Sequence, residues 1–343
     1  MRDLLIRVAG VSIPCLWPIR ALLAAGHDAL DPAGPQAAHI AVLWQILLWT
    51  CMLFGALIIA TLATALGRSR RSSEATPADA APAHDTERRA SRVVIIALAG
   101  SVVALVGLTV ASVTTDRALA GLSEANAVTV RITAHDWWWE IRYEDAEAAR
   151  VFTTANELHV PVGRTVVAKL ESSDVIHSLW VPNLHGKRDL IPGQTASIKF
   201  RADRPGSYQG RCAEFCGYQH AKMALLVIAQ PPAEYETWAQ GQRAAAAAPS
   251  DALKARGAAI FMTSTCAMCH AIQGTPAGGR LGPDLTHLAS RRTLAAGTLA
   301  NEPNALAAWI ADPQRHKPGV NMPAHAFAPE DMQALLAYLE ALI

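Results

Sequence analysis

The sequence predicts a multidomain protein: a two-helix transmembrane hairpin, then an all-β domain, then an all-α domain. Two uncharged apolar segments lie in the first third of the chain, and β-branched residues alternate with other residues through its middle. Helical patterns return after about residue 251. The length of 343 residues, with 51% hydrophobic and only 17% charged residues, agrees with a membrane-anchored protein of about two globular domains.

The apolar segments are residues 38–66 and 93–115, and each exceeds the roughly 20 residues that a helix needs to cross a bilayer. The polar residues 67–92 between them carry six arginines. By the positive-inside rule this loop is cytoplasmic, so the chain after about residue 116 lies outside. We therefore expect a multi-pass protein of a bacterial-type plasma membrane, with its globular domains on the periplasmic side.

Residues 1–25 have a basic start, an apolar stretch and small residues near their end, which is typical of a signal peptide cleaved near Ala25. Pro14 and Pro18 interrupt the apolar stretch, so an irregular extracytoplasmic arm is the alternative. Residues 26–37 are predicted to be an extracytoplasmic arm.

The all-β domain is assigned to residues 127–232, where segments such as "VTVRITA" and "MALLVIA" are separated by proline and glycine turns. This pattern is typical of an antiparallel sandwich or barrel. Residues 233–252 are predicted to be a linker, although their alanine run could equally be a helix end. Residues 253–343 form the all-α domain. The net charge of +1, without a basic and aromatic run, excludes nucleic acid as a partner.

The all-α domain contains a haem-attachment motif. In "STCAMCHAI", Cys266 and Cys269 are spaced to take covalent links to the porphyrin, and the adjacent His270 can reach the iron. A local disulfide or half of a zinc site is the alternative, but no second cysteine pair follows to complete a zinc site. The carbonyl of Pro283 is predicted to orient the His270 ring through its other nitrogen.

Met322 is predicted to be the second axial ligand of the haem iron. It lies in a loop before a proline, in "PGVNMPAHAF", about fifty residues after the motif. His316 and His325 are the competing candidates, whereas Met332 falls on a helical core period, where methionine usually fills space.

The stretch "RCAEFCGYQHAKM" packs a second set of ligands into thirteen positions. Thiolates, imidazoles and a thioether select copper. A mononuclear blue-copper site needs one cysteine, so two cysteines imply two copper ions bridged by both thiolates. Each ion would be completed by one histidine and one weak ligand, either the Met223 sulfur or the Glu214 carbonyl oxygen. A disulfide is the alternative. The predicted ligands are His177, Cys212, Glu214, Cys216, His220 and Met223.

"HSLWVPNLHGKRDLIPGQ" followed by "GRCAEFCGYQHAKM" resembles the dinuclear copper (CuA) region of cytochrome c oxidase subunit II. With the haem motif after it, the chain is similar to the caa3-type subgroup, in which subunit II carries a fused C-terminal cytochrome c. The resemblance spans about residue 35 to the end. It implies a cupredoxin-like Greek-key barrel or sandwich for the β domain and a class I cytochrome c fold for the α domain.

The resemblance also implies a function. The chain would relay electrons from a c-type cytochrome, or from a quinol-cytochrome c reductase, through its haem c and CuA centre to the haem-copper subunit I. There O2 would be reduced to water with proton pumping, and subunit III would be a further partner. The Glu214 side chain would help to bind magnesium at subunit I. Trp137, in "AHDWWWEIRYE", is the candidate for electron entry, with plain core packing as its alternative.

Three other functions remain alternatives. A component of a nitrous oxide or nitric oxide reductase would share the copper motif but need a different catalytic partner. A copper-delivery module would use an exposed, labile site, unlike the closed ligand set predicted here. The quinol oxidase subunit II would keep the fold but lack the copper ligands.

Overall fold

The computed structural model describes residues 28–69 and 84–343. The predicted signal peptide at residues 1–25 and the middle of the predicted cytoplasmic loop, residues 70–83, lie outside the described residues.

Two long helices precede the globular part, α1 at Pro35–Ser69 and α2 at His84–Ala120. Each is long and apolar enough to cross a membrane, with a mean hydropathy of 2.4 for α1 and 2.7 for α2 in its most apolar window. No residue of either window is buried within the protein, so these apolar side chains face outward. Both helices extend beyond the predicted segments 38–66 and 93–115, because backbone hydrogen bonding continues through the polar residues at their ends.

The β domain contains ten strands. They are β1 (Val128–His135), β2 (Trp138–Glu144), β3 (Phe152–Ala155), β4 (Glu157–Pro161), β5 (Val166–Ser172), β6 (His177–Trp180), β7 (Arg188–Leu190), β8 (Ala196–Phe200), β9 (Gly206–Cys212) and β10 (Ala224–Gln230). They form two five-stranded sheets, in the orders β3-β2-β1-β5-β8 and β4-β10-β9-β6-β7. The burial of β1 alternates at every residue, as expected of a strand with one face in the core.

The predicted β-sandwich is confirmed, but its sheets are mixed rather than antiparallel throughout. Strand β1 pairs in parallel with β5, and β4 pairs in parallel with β10. The alternation of side chains tells which face of a strand is buried, but it carries no information about the direction of the neighbouring strand. The two sheets enclose a core that contains Ile132, Trp139, Leu158 and Leu225.

The predicted linker, residues 233–252, is partly structured. Helix α3 spans Pro232–Gln242 and packs on the β domain through Tyr235, Trp238 and Ala239. Their spacing places the three side chains on one helix face, and the ring of Trp238 stacks on His159 at a centroid distance of 4.0 Å. Residues 243–251 contain no helix or strand. The sequence analysis did not predict this helix, because polar residues separate the few side chains that form its buried face.

The C-terminal domain is built from short helices around its own core. They are α4 (Ala252–Thr263), α5 (Cys266–Cys269), α6 (Pro303–Ala311), α7 (Pro313–His316) and α8 (Pro329–Leu339), with a small ribbon of β11 (Thr293–Leu294) and β12 (Leu299–Ala300). Helices α4 and α8 cross at Gly257, where an added Cβ would lie 2.0 Å from the carbonyl oxygen of Ala334. The first and last helices of this domain therefore pack backbone to backbone.

The two globular domains contact each other directly. The buried carboxylate of Glu157, at the start of β4, accepts hydrogen bonds from the backbone N–H groups of Arg292 and Thr293, both at 2.8 Å. The backbone N–H of Ala224 donates to the carbonyl oxygen of Ala296 at 3.0 Å. These contacts hold the β11 region of the helical domain against the edge of the β domain.

Candidate metal centre and haem cavity

Three structural segments bring the predicted copper ligands together. His177 opens β6, Cys212 ends β9, and β6 and β9 are neighbours in one sheet. The loop that follows β9 carries Cys216 and His220, and Met223 lies directly before β10. Cys212 and Cys216 are four positions apart in the chain, and their sulfurs lie 3.7 Å from each other at the end of the sheet.

The six predicted ligand groups converge within hydrogen-bonding or van der Waals distances. The Sγ atoms of Cys212 and Cys216 are 3.7 Å apart. On one side, Cys212 Sγ lies 3.8 Å from His177 Nδ1 and 3.2 Å from the carbonyl oxygen of Glu214. On the other, Cys216 Sγ lies 3.6 Å from His220 Nδ1 and 3.9 Å from Met223 Sδ. Each sulfur thus has one histidine nitrogen and one weak ligand of its own.

The sulfur separation argues against the disulfide alternative. A disulfide bond is about 2.05 Å long, whereas these sulfurs are 3.7 Å apart, and both cysteines are free and buried. The hydrogen bond between the two sulfurs lowers the pKa of the Cys212 thiol, and the same bond, together with burial and the charge on Cys212, raises the pKa of the Cys216 thiol. The pair therefore loses its first proton easily and its second with difficulty, which suits a site where cations replace the protons.

Asp174 orients the ring of His177, and the sequence analysis did not predict this role for Asp174. Its Oδ1 lies 2.7 Å from His177 Nε2, which leaves Nδ1 facing the sulfurs. Burial opposes a charge on His177, but the hydrogen bonds to Asp174 and Cys212 outweigh burial and raise its pKa to about 9. The sequence signal was an acidic residue three positions before the histidine in "SSDVIH". Carboxylates commonly hold metal-binding histidines in this way.

The Glu214 carboxylate points away from the sulfurs. Its Oε2 lies 3.5 Å from Lys187 Nζ, and its side chain is 44% exposed. Glu214 therefore faces the cysteine pair with its backbone carbonyl, while its side chain pairs with Lys187.

The haem-attachment motif lines a large cavity. Cys266 and Cys269 lie on the single turn of α5, and His270 follows at its end. Together with Met322 they line a cavity of about 370 Å³. His270 Nδ1 lies 2.7 Å from the carbonyl oxygen of Pro283, as the sequence predicted. The ring is therefore fixed with Nε2 available to a ligand in the cavity.

Glycine at position 282 is required for this arrangement, because an added Cβ would lie 2.5 Å from the Cε1 atom of the His270 ring. Two histidines are alternatives to Met322 as the second iron ligand. His325 also lines the cavity, whereas His316 does not. Met332 packs in the core of the helical domain.

Trp137 lies between the cavity and the copper ligands. Its indole N–H donates to the carbonyl oxygen of Cys216 at 2.7 Å, and its ring is only 7% exposed. The same residue lines the cavity from the β-domain side. Its carbonyl oxygen accepts a hydrogen bond from Lys317 Nζ at 2.9 Å, a contact that the sequence analysis did not foresee. Trp137 is therefore both packed in the core and placed between the candidate copper ligands and the cavity.

Two family models match the chain. One is described as the periplasmic domain of cytochrome c oxidase subunit II and matches residues 145–230; the other is described as cytochrome c and matches residues 254–342. Cytochrome c oxidase subunit 2 of Alkalihalophilus pseudofirmus is 41% identical over 218 residues, covering 63% of this chain and 62% of that protein. The corresponding protein of Bacillus sp. strain PS3 is 33% identical over 235 residues, covering 64% and 63%.

The chain thus spans somewhat less than two thirds of the length of these curated relatives. Among solved structures, the periplasmic domain of subunit II of cytochrome oxidase of Bradyrhizobium japonicum is 27% identical, with a TM-score of 0.32, and the match covers 34% of this chain and 93% of that one. The two matched domains coincide with the copper-ligand cluster and with the cavity that holds the CxxCH motif. Residues 145–230 are therefore similar to the periplasmic domain of cytochrome c oxidase subunit II, and residues 254–342, which follow in the same chain, are similar to cytochrome c.

Proposed function

We propose that this chain is the electron-entry subunit of a haem-copper terminal oxidase, that is, subunit II of a caa3-type cytochrome c oxidase. It would take electrons from a c-type cytochrome or a quinol-cytochrome c reductase and pass them to subunit I, where O2 is reduced with proton pumping. One observation carries the proposal. Two imidazoles, a thioether and a carbonyl each lie within 4 Å of one of two neighbouring thiols, and Trp137 separates this cluster from the cavity of the CxxCH motif.

The six converging groups fit a dinuclear copper centre. The Cys212 and Cys216 thiolates, the His177 and His220 imidazoles, the Met223 sulfur and the Glu214 carbonyl oxygen would together hold the two ions. Such a copper pair supplies one-electron transfer with little reorganisation, because the charge is shared between the two ions. His177, Cys212, Cys216 and Met223 are buried, and the strands that carry His177 and Cys212 pair in one sheet, which supports a rigid ligand set.

The cavity residues fit a covalently attached haem c. Cys266 and Cys269 would form the two thioether links, and His270 and Met322 would bind the iron. The protein's part is to hold these groups in place and to tune the potential, since a thioether ligand raises the haem potential and buried surroundings exclude water.

Trp137 is our candidate for the passage of electrons between the two centres. It contacts the cysteine loop through its indole N–H and the cavity through its ring. In the family that the sequence resembles, an aromatic residue near the copper centre receives electrons from outside; here the fused helical domain covers that residue.

The helices α1 and α2 would anchor the protein in the plasma membrane, with both globular domains on the periplasmic side. Subunits I and III would be its membrane partners. The outward-facing apolar side chains of both helices support contact with lipid or with other membrane helices. We further propose that the exposed Glu214 carboxylate contributes to a magnesium site at subunit I.

The test uses the full chain, purified in mild detergent with copper and haem. We expect about two copper ions per chain, a mixed-valence copper electron paramagnetic resonance signal and a c-type pyridine haemochrome. The variant Cys216→Ser should abolish the mixed-valence signal and leave the haem spectrum intact. Cys51→Ser is the matched control, because Cys51 is an exposed thiol on α1, far from both centres.

A four-line mononuclear copper signal in the unmodified protein, or copper-free protein with Cys212 and Cys216 joined in a disulfide, would contradict the copper proposal. Copurification in mild detergent tests the partner assignment: a haem-copper subunit and oxygen uptake should accompany the chain.

A further inference from the structure

Lys317 of the helical domain is buried at the contact between the two domains. It follows α7 and is only 2% exposed. Its ammonium group donates to the carbonyl oxygen of Trp137 at 2.9 Å and to that of Ala295 at 3.2 Å. The side chain thus joins the β domain to a turn of the helical domain.

Burial of the Lys317 ammonium group costs folding free energy, and its two hydrogen bonds do not offset that cost. Both acceptors are neutral carbonyls, and the lysines that form ion pairs within residues 28–69 and 84–343 are other ones. Burial, with a smaller contribution from the charge of Lys222, lowers the pKa of Lys317 to about 7. A buried ammonium without a carboxylate partner is usually less stable than an apolar side chain of similar size.

The position of Lys317 links the haem-binding loop to the copper ligands. Lys317 and Met322 are five residues apart in one loop, and both line the cavity. From the Lys317 ammonium the contacts continue through the Trp137 carbonyl, the Trp137 indole and the 2.7 Å hydrogen bond to the Cys216 carbonyl. A single line of covalent and hydrogen bonds therefore connects Met322 to the sulfur of Cys216.

The residues beside Lys317 are held from the copper side as well. Gln219 Nε2 donates to the carbonyl oxygen of Pro318 at 2.6 Å, and Lys222 Nζ donates to the carbonyl oxygen of His316. Both donors lie in the loop between Cys216 and Met223. The segment that leads to Met322 is thus fixed directly to the loop between Cys216 and Met223 at His316 and Pro318, and through Trp137 at Lys317.

We propose that Lys317 is a positioning residue for electron transfer between the haem and the copper centre, because it fixes the Trp137 carbonyl against the loop that carries Met322. This inference rests on the proposed function of the two sites. Removing the ammonium would leave both centres intact but loosen the contact through which they are coupled.

The experiment measures electron transfer within the full chain in detergent, loaded with copper and haem. A photosensitiser attached to the helical domain injects one electron into the ferric haem, and the haem is then reoxidised as the oxidised copper pair is reduced. Lys317→Met should slow this step by about tenfold or more, because small displacements between reacting groups have large effects on rate. Lys254→Met is the control: it removes the same charge from the same domain, at a lysine paired with Asp251 on α4.

The spectra decide how a result is read. If the unmodified chain lacks a haem c or a mixed-valence copper signal, the proposed function fails. If Lys317→Met keeps both signals and transfers electrons at the unmodified rate, only the role of Lys317 is overturned. Should Lys317→Met lose either signal, Lys317→Gln, which keeps a hydrogen-bond donor in the same space, replaces it. An unchanged rate in that variant, or loss of a signal there too, would also overturn the role.

Discussion

The Nε2 atom of His177 lies 2.7 Å from Oδ1 of Asp174, and this contact turns Nδ1 of the same ring toward the sulfur of Cys212. The carboxylate fixes the orientation of the imidazole and raises its basicity. Asp174 therefore positions one of the proposed copper ligands through a direct contact with its ring.

We expect Asp174→Asn to weaken copper binding by about 10- to 100-fold, because the amide keeps the size of the side chain but loses its charge. Competition against a copper chelator, followed through the copper absorption, measures the change. Asp203→Asn is the control, since Asp203 pairs with Arg201 on the exposed surface. Equal copper affinity in the Asp174 variant and the unmodified chain would show that the ring is held by its strand alone.

The sequence predicts the convergence of the candidate metal ligands where they are close together along the chain. Cys212 to Met223 span twelve residues, and Cys266 to His270 span five, so the spacing alone suggests shared sites. The position of His177 followed from its place at a strand end. Side-chain alternation and the apolar segments likewise predict the strands and the two long helices.

Contacts between distant parts of the chain could not be predicted. Lys317 and Trp137 are 180 residues apart, and no local periodicity relates them. The parallel pairing of β1 with β5 and the packing of α3 on the β domain depend on the same kind of contact. Asp174 is close to His177, but an acidic residue in a loop is usually just solvated, so its role required the structure.

Met322→Leu tests the axial ligand without changing the volume of the side chain. We expect a lower haem potential and loss of the sulfur-to-iron charge-transfer band, because a thioether stabilises ferrous iron. Redox titration and the absorption spectrum of the oxidised protein measure the two effects. Met332→Leu removes a core methionine in α8 and should change neither. If the band survives in Met322→Leu, another sulfur binds the iron; if the unmodified chain already lacks the band, His325 becomes the first candidate for the ligand.

Gly257→Ala tests the close crossing of α4 and α8. The new Cβ would lie 2.0 Å from the carbonyl oxygen of Ala334 and 2.8 Å from Cβ of Tyr338, so the helices must move apart. We expect the helical domain to lose about 1–3 kcal/mol of unfolding free energy, despite the better helix propensity of alanine. Denaturant unfolding followed by haem absorption measures it.

Gly241→Ala is the matched control for that crossing, because nothing lies within 4 Å of the new Cβ in α3. This variant should be neutral or more stable by up to about 1 kcal/mol. A destabilisation of similar size in both variants would mean that the glycine effect is not one of packing.

His159 should make the β domain lose stability in mild acid. Its ring stacks on Trp238, and its Nδ1 lies 2.7 Å from Gln230 Oε1. Burial outweighs this hydrogen bond and lowers the pKa of His159 from 6.5 to about 4. Between these values the unfolded chain binds more protons than the folded one, so the stabilisation is complete above about pH 6.5 and is lost as the pH falls toward 4.

The loss between pH 7.5 and pH 5 should be no more than about 2 kcal/mol, and His159→Phe should remove this part of the pH dependence, because phenylalanine can stack on Trp238 but cannot be protonated. Urea unfolding of the full chain at the two pH values, followed by tryptophan fluorescence, measures it. The variant is expected to be less stable at pH 7.5, where the bond to Gln230 is lost, so the comparison concerns the difference between the two pH values. If that difference is the same in the variant and the unmodified chain, the acid sensitivity arises at another buried group.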